Sequence, residues 1–271
     1  MKRVLAKIGF ALSVFVLVSP AILVFLWMIS LSLKNELDNT AFPPVFIPNP
    51  PTLANYVEVF AKNNFALYFW NSILVTGGAV LIGLVVGVPA GYGIARARSA
   101  KFAILILIAR MTPALSYLIP LFLVFQILGL IGTISALIIT HLVITIPIIV
   151  WIMIGYFENV PLELEDAAHI DGATTWQSFR YIALPLARPG IVVGGILAFI
   201  FSWNNFIFSV VLGGKSSRTL PSAVYNSLTF EQISWGPLAA AALLVTLPVL
   251  LLTVIAQREI VAGLSAGGLK D

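Results

Sequence analysis

The sequence contains no cysteine. Disulfides, thiol chemistry and cysteine-based metal centres are therefore excluded. Its two histidines, His141 and His169, stand far apart, so no metal constellation is expected. Charge is scarce as well: 10% of the 271 residues are charged, whereas 60% are hydrophobic. Soluble globular domains carry about 25% charged residues, and too little polar chain is left here to build a soluble domain with its own core. The net charge of +4 needs no nucleic acid, because basic residues gather on the cytoplasmic side of membrane proteins. No Ser-His-acid set falls convincingly on one predicted membrane side, so no catalytic residue is assigned. The run GGKSS at 213–217 would need glycine at position 209 to complete a phosphate-binding loop, and Ser209 stands there. No cofactor site is expected in the chain.

What the sequence has instead is long apolar runs. A helix needs about 20 apolar residues to cross a bilayer, and segments near 9–32, 68–94, 102–128, 134–156, 190–212 and 237–256 qualify. The expected fold is an all-α polytopic membrane protein, a single domain over 1–271 with six transmembrane helices surrounded by lipid. The first segment reads as a retained signal anchor. With the N-terminus placed in the cytoplasm, ten Lys and Arg residues fall inside and four outside, the asymmetry expected of this orientation. It places both termini, residues 157–189 and the tail 257–271 in the cytoplasm, and residues 33–67 and 213–236 outside. In the first outer loop Thr52 can cap a helix whose apolar face is Leu53, Tyr56, Val57 and Phe60. That face lies on the membrane surface or packs on the span ends. In the second span Ala79, Gly83, Gly87 and Gly91 recur every four residues, a row that lets another helix approach closely.

The stretch ELEDAAHIDGATTWQSFRYIALPLARPG at 163–190 interrupts the apolar pattern. Its six charges would cost roughly 15–20 kcal/mol in the bilayer, at about 3 kcal/mol each. It therefore stays outside, as two short helices. Pro161 suits the start of the first, Gly172 its left-handed end, and Asp171 caps or stabilises that turn. Leu164, Ala167 and Ala168 share a narrow face. Thr174 and Gln177 have capping-box spacing for the second helix, whose face is Trp176, Phe179 and Ile182. Pro185 stops it, and Pro189-Gly190 turns the chain back. Small residues beside acids suit docking onto a partner, with a self-packed loop as the competing reading.

These residues resemble the EAA motif of ABC importer permeases, E-A-A-x-x-x-G followed by I-x-L-P. The runs RMTPALSYLIPLF, WNNF and QREIVAGLSAGGLKD extend the resemblance to the sugar-permease, maltose-permease-like branch. The resemblance implies a type I ABC importer permease fold with cytoplasmic coupling helices, in a bacterial or archaeal inner membrane. It implies a second homologous permease, an ATPase dimer that binds ATP and Mg, and an extracytoplasmic solute-binding protein. It also implies that Glu165, Asp166, Ala167, Ala168, Asp171, Gly172, Ala173, Phe179, Leu184 and Pro185 dock the ATPase. The tail residues Gly263, Ser265, Gly267 and Gly268 are implied to reach between the ATPases. The motif's glutamate is Asp166 here, so Glu165 and Asp166 both stand as the acid that pairs with the ATPase.

No Asp or Glu falls within the spans, which argues against proton or ion coupling and for an ATPase supplied in trans. The alternative is a stand-alone secondary transporter or channel for a polar solute. Arg110, inside a span, faces protein or water: as a pathway residue, as a structural partner of carbonyls beside Pro113, or by snorkelling. Ser202, Asn205 and Ser209 are expected on one helical stripe flanked by Trp203 and Asn204, lining a pathway or joining helices. Pro113, Pro120 and Pro147 are expected to kink spans three and four.

Overall fold

The computed structural model of the chain describes residues 2–62, 64–226 and 234–268, with side chains over 7–61, 64–224, 234–255 and 257. Among the described residues the secondary structure is helical, without strands. In chain order the helices are α1 (Lys2–Ser32), α2 (Glu36–Asn39), α3 (Ala54–Lys62), α4 (Phe65–Arg96), α5 (Ala100–Met111), α6 (Ala114–Ile127) and α7 (Ile134–Glu158). Then follow α8 (Leu162–Ile170), α9 (Thr175–Ser178), a π-turn (Phe179–Ala183) and α10 (Leu184–Leu186). After them come α11 (Arg188–Trp203), α12 (Ile207–Leu212), α13 (Leu220–Asn226) and α14 (Trp235–Gly268). By length and composition four helices can cross a membrane, or six if each of two sharply bent helix pairs counts as one span.

The bends refine the six-span expectation. The third span is broken between α5 and α6, which meet at 87°. The cause is local: the residue before a proline avoids the helical region, and Thr112, before Pro113, is extended with ψ 126°. Pro120 and Pro147 lie inside helices. The fifth span is also interrupted, at Asn204–Phe206 between α11 and α12. There the Asn204 amide turns back onto the Ile200 carbonyl at 3.0 Å, the local competition that makes asparagine a poor helix interior residue.

Two compact units divide the chain: Met1–Phe65 with Val224–Leu247, and Ala66–Ala223 with Pro248–Asp271. In the first unit, the most apolar stretch of α1, long enough to cross a bilayer, buries none of its residues within the chain. Lys34 is buried, donates to the Val45 carbonyl at 2.7 Å and lies over the Trp27 ring. Burial pushes its ammonium down, with Asp38 opposing. Asn55 donates to the carbonyls of Ser32 and Lys34, and the Glu36 carboxylate accepts from the Trp235 and Gly236 amides at the start of α14. The α3 helix starts one residue later than a Thr52 cap requires: the Leu53 carbonyl accepts the first helical bonds, from the Tyr56 and Val57 amides, while Thr52 Oγ1 accepts from the Ala54 amide at 3.1 Å in the turn before it. Val59 and Asn55 point inward, while Leu53, Val57 and Phe60 are exposed.

The second unit is organised around α4, α7 and α11. The small-residue row of α4 meets α7 at close range. An added Cβ would lie 2.9 Å from Ile149 Cδ1 at Gly83 and 2.8 Å from Ile149 Cγ2 at Gly87. At the Ala79 end, Thr145 Oγ1 donates to the Ala79 carbonyl. One core gathers Val88, Tyr92, Ile149, Met153, Phe157, Phe179 and Ala183; a second gathers Val75, Phe125, Leu137, Phe208 and Leu212.

Candidate functional site

The charged stretch folds as the two-helix corner its caps predict. Leu162 opens α8 after Pro161, and Gly172 ends the turn with φ +87°, a conformation that costs a side-chain-bearing residue. Asp171 is the C-cap, its amide on the Ala167 carbonyl. Thr174 and Gln177 form a complete capping box: the Thr174 amide donates to Gln177 Oε1 at 2.7 Å, and the Gln177 amide to Thr174 Oγ1 at 3.3 Å. His169 Nδ1 lies 2.8 Å from the Ala173 carbonyl, across the same turn. Pro185 does not stop the second helix, contrary to expectation. A π-turn carries the chain through it to Leu186, and the break comes at Ala187, where α11 departs at 73°. Gly190 then passes against the Tyr156 ring, leaving no room for a side chain.

The corner has an inner and an outer side. The two adjacent acids part here. Glu165 is 4% exposed. It receives Arg96 Nε at 2.8 Å, Arg96 Nη2, the Tyr92 hydroxyl and Ser178 Oγ. Burial pushes its carboxyl up, but the hydrogen bonds from Arg96, Tyr92 and Ser178 and the Arg96 charge outweigh that and hold it below the usual carboxylate range. Arg96 also donates to the carbonyls of Phe157 and Val160, at 2.8 and 3.3 Å. Asp166 and Ala167 are exposed and Ala168 is half-buried. Ile170 and Trp176 are 86% and 65% exposed, and Leu162 and Leu164 are exposed as well.

Of the ten residues expected to dock a partner, Asp166, Ala167, Asp171, Gly172 and Pro185 are exposed, and Ala168, Ala173 and Leu184 are half-buried. Phe179 is a correction. It is 4% exposed and packs on Tyr92 and Phe157, so its ring holds the corner to the core and is not available for docking. Arg96, Tyr92 and Ser178 escaped the sequence reading, because the partners of Glu165 lie on helices whose pairing no local pattern encodes. The tail residues Gly263, Ser265, Gly267 and Gly268 belong to the end of the α14 backbone; the surroundings of these residues, and the Ser265 side chain, lie outside what is described.

The expected polar stripe of the fifth span is a second correction. Because the helix breaks after Trp203, the three residues do not share one face. Ser202 is buried and lies 2.7 Å from His141 Nδ1. Ser209 is buried against Ser222 and the Thr219 amide. Trp203 is buried, stacked on Phe199, and Asn204 is exposed. Asn205 instead lines a cleft of about 260 Å³ with Arg110, Thr112, Tyr117, Ile144 and Phe201. Arg110 is exposed, and among the described residues no acid pairs with it.

The chain as a whole has relatives among known proteins. Residues 79–264 match the family model described as binding-protein-dependent transport system inner membrane component. The chain belongs to that family. This permease is 36% identical to the trehalose transport system permease protein of Mycobacterium tuberculosis, over 93% of this chain and 94% of that protein. It is 34% identical to the sulfoquinovosyl glycerol transport system permease protein of Agrobacterium fabrum, over 90% and 87%. A chain of a solved bacterial ABC transporter involved in the import of the acidic polysaccharide alginate matches with a TM-score of 0.78 at 20% identity, covering 94% of this permease and 96% of that chain. The permease thus has the type I ABC importer fold.

Proposed function

We propose that this chain is one transmembrane permease subunit of an ATP-driven importer for a sugar or sugar derivative. The observation that carries the mechanism is the corner of α8 and α9: it is fixed from within and presents Asp166, Ala167, Ile170 and Trp176 outward. This surface faces the cytoplasm and docks an ATPase of the ABC class, with Asp166 available for a basic residue of the partner. Trehalose and sulfoquinovosyl glycerol, named for the relatives, support the sugar class. The N- and C-termini are cytoplasmic, and the whole chain acts as one permease domain.

The working complex contains a second homologous permease, two ATPase subunits and an extracytoplasmic solute-binding protein. ATP and Mg belong to the ATPases; this chain binds no cofactor and does no bond chemistry. Closure of the ATPases moves α8 and α9, and the spans rock between inward and outward states. Arg110 and Asn205, on the same cleft, and the exposed Asn204 are the assigned pathway residues; Ser202, Trp203 and Ser209 hold helices together. The tail around Gly263, Ser265, Gly267 and Gly268 reaches the ATPases.

Reconstitution into vesicles tests this reading. Uptake requires the ATPases, ATP and the binding protein. Uptake by this chain alone would make it a secondary transporter or channel and overturn the proposal.

A further inference from the structure

The neighbouring acids of the motif differ in their surroundings: Glu165 is buried and Asp166 is exposed. Both oxygens of Glu165 are taken up inside the chain: Oε1 by Arg96, Oε2 by Tyr92 and Ser178. Arg96 in turn holds the carbonyls of Phe157 and Val160. The ends of α4 and α7 and the helices α8 and α9 therefore converge on one enclosed ion pair. A carboxylate so enclosed cannot reach another protein without leaving Arg96 uncompensated, and breaking a buried pair by removing one member is strongly unfavourable. The fork geometry of the guanidinium fixes direction as well as charge. Beyond the pair, α4 interlocks with α7 through Gly83, Gly87 and Gly91.

We propose that Glu165 and Arg96 are positioning residues that make α8 and the end of α4 move as one body, delivering displacement of the docking helix directly to the membrane-spanning pair α4 and α7. Asp166 meets the ATPase; Glu165 transmits. This inference rests on α8 being the docking helix.

The absence of cysteine from the chain makes a direct test practical. Spin labels go on Gly93→Cys of α4, where nothing lies within 4 Å of an added Cβ, and on Glu163→Cys of α8, which is exposed. The complete importer is placed in lipid nanodiscs and the label distance is measured without nucleotide and with trapped ATP. A single narrow distance, the same in both states, is expected with Glu165 present. In Glu165→Gln and Arg96→Gln the distribution broadens or shifts, and uptake falls about tenfold or more, while the ATPase still co-purifies. Arg96→Lys restores part of the uptake, because lysine keeps the charge but cannot serve the carboxylate and two carbonyls together. Tyr92→Phe, which removes one hydrogen bond, provides a milder variant should the others fold poorly, and is expected to broaden the distribution less. An unchanged distribution in Glu165→Gln would overturn the proposal. So would loss of ATPase co-purification with the label distance intact, since Glu165 would then be the docking acid. Failure of the docking reading itself is separable: Asp166→Lys would then keep the ATPase bound and uptake normal.

Discussion

Gly91 of α4 lies so close to Met153 of α7 that a Cβ at residue 91 would stand 2.6 Å from the Met153 Cβ. The nearby Ile154 amide, at 3.3 Å, is backbone and cannot rotate away. Gly91→Val is therefore expected to destabilise the folded permease by about 1–3 kcal/mol, the usual range for overpacking. Gly93→Ala, two residues along with open space around it, is expected to cost nothing and to gain up to about 1 kcal/mol of helix propensity. Thermal midpoints of the detergent-solubilised protein compare the two. Equal midpoints would show that α4 and α7 are not in contact along the glycine row.

Gly172 makes a different demand. Space around it is open, yet its φ of +87° is unfavourable for a residue with a side chain. Gly172→Ala is expected to destabilise the corner by about 1–2 kcal/mol, and Gly172→Asn by less, since asparagine tolerates this region better. Protease sensitivity between α8 and α9 measures the ranking; Ala and Asn variants as resistant as the parent would contradict it.

The Glu165 carboxyl is held below its ordinary value of 4.5: burial raises it, and the Arg96, Tyr92 and Ser178 contacts override burial. A carboxylate whose folded pKa is depressed contributes stability that is fully present above the unfolded value. That stability is lost as pH falls through the folded value. The thermal midpoint should therefore drop on acidification below about pH 4.5 more steeply in the parent than in Glu165→Gln, which has no carboxylate to protonate. Parallel pH profiles would show that the pair contributes no linked stability.

Much of this architecture was legible in local patterns. The capping box of Thr174 and Gln177, the Gly172 turn and the glycine row each depend on residues within a few positions, and each appears where the spacing placed it. The break before Pro113 follows from the same local rule, although its size, 87°, does not. Burial was not legible. Glu165 and Asp166 are equivalent in sequence, and only the arrival of Arg96 from α4 separates them. Phe179 likewise reads as an outer face of a short helix until Tyr92 and Phe157 close over it. The stripe Ser202, Asn205 and Ser209 failed because its spacing presumed a continuous helix through Asn204.

Cross-linking from α8 tests whether that helix docks the ATPase. With a single cysteine at Ala167 in this cysteine-free chain, a thiol reagent that carries a photoactivatable benzophenone is expected on irradiation to join the permease to its ATPase subunit in membranes, and Asp166→Lys in the same chain is expected to abolish the adduct. Absence of an adduct from Ala167, with the complete importer assembled and active, would contradict the assignment of α8 as the docking helix.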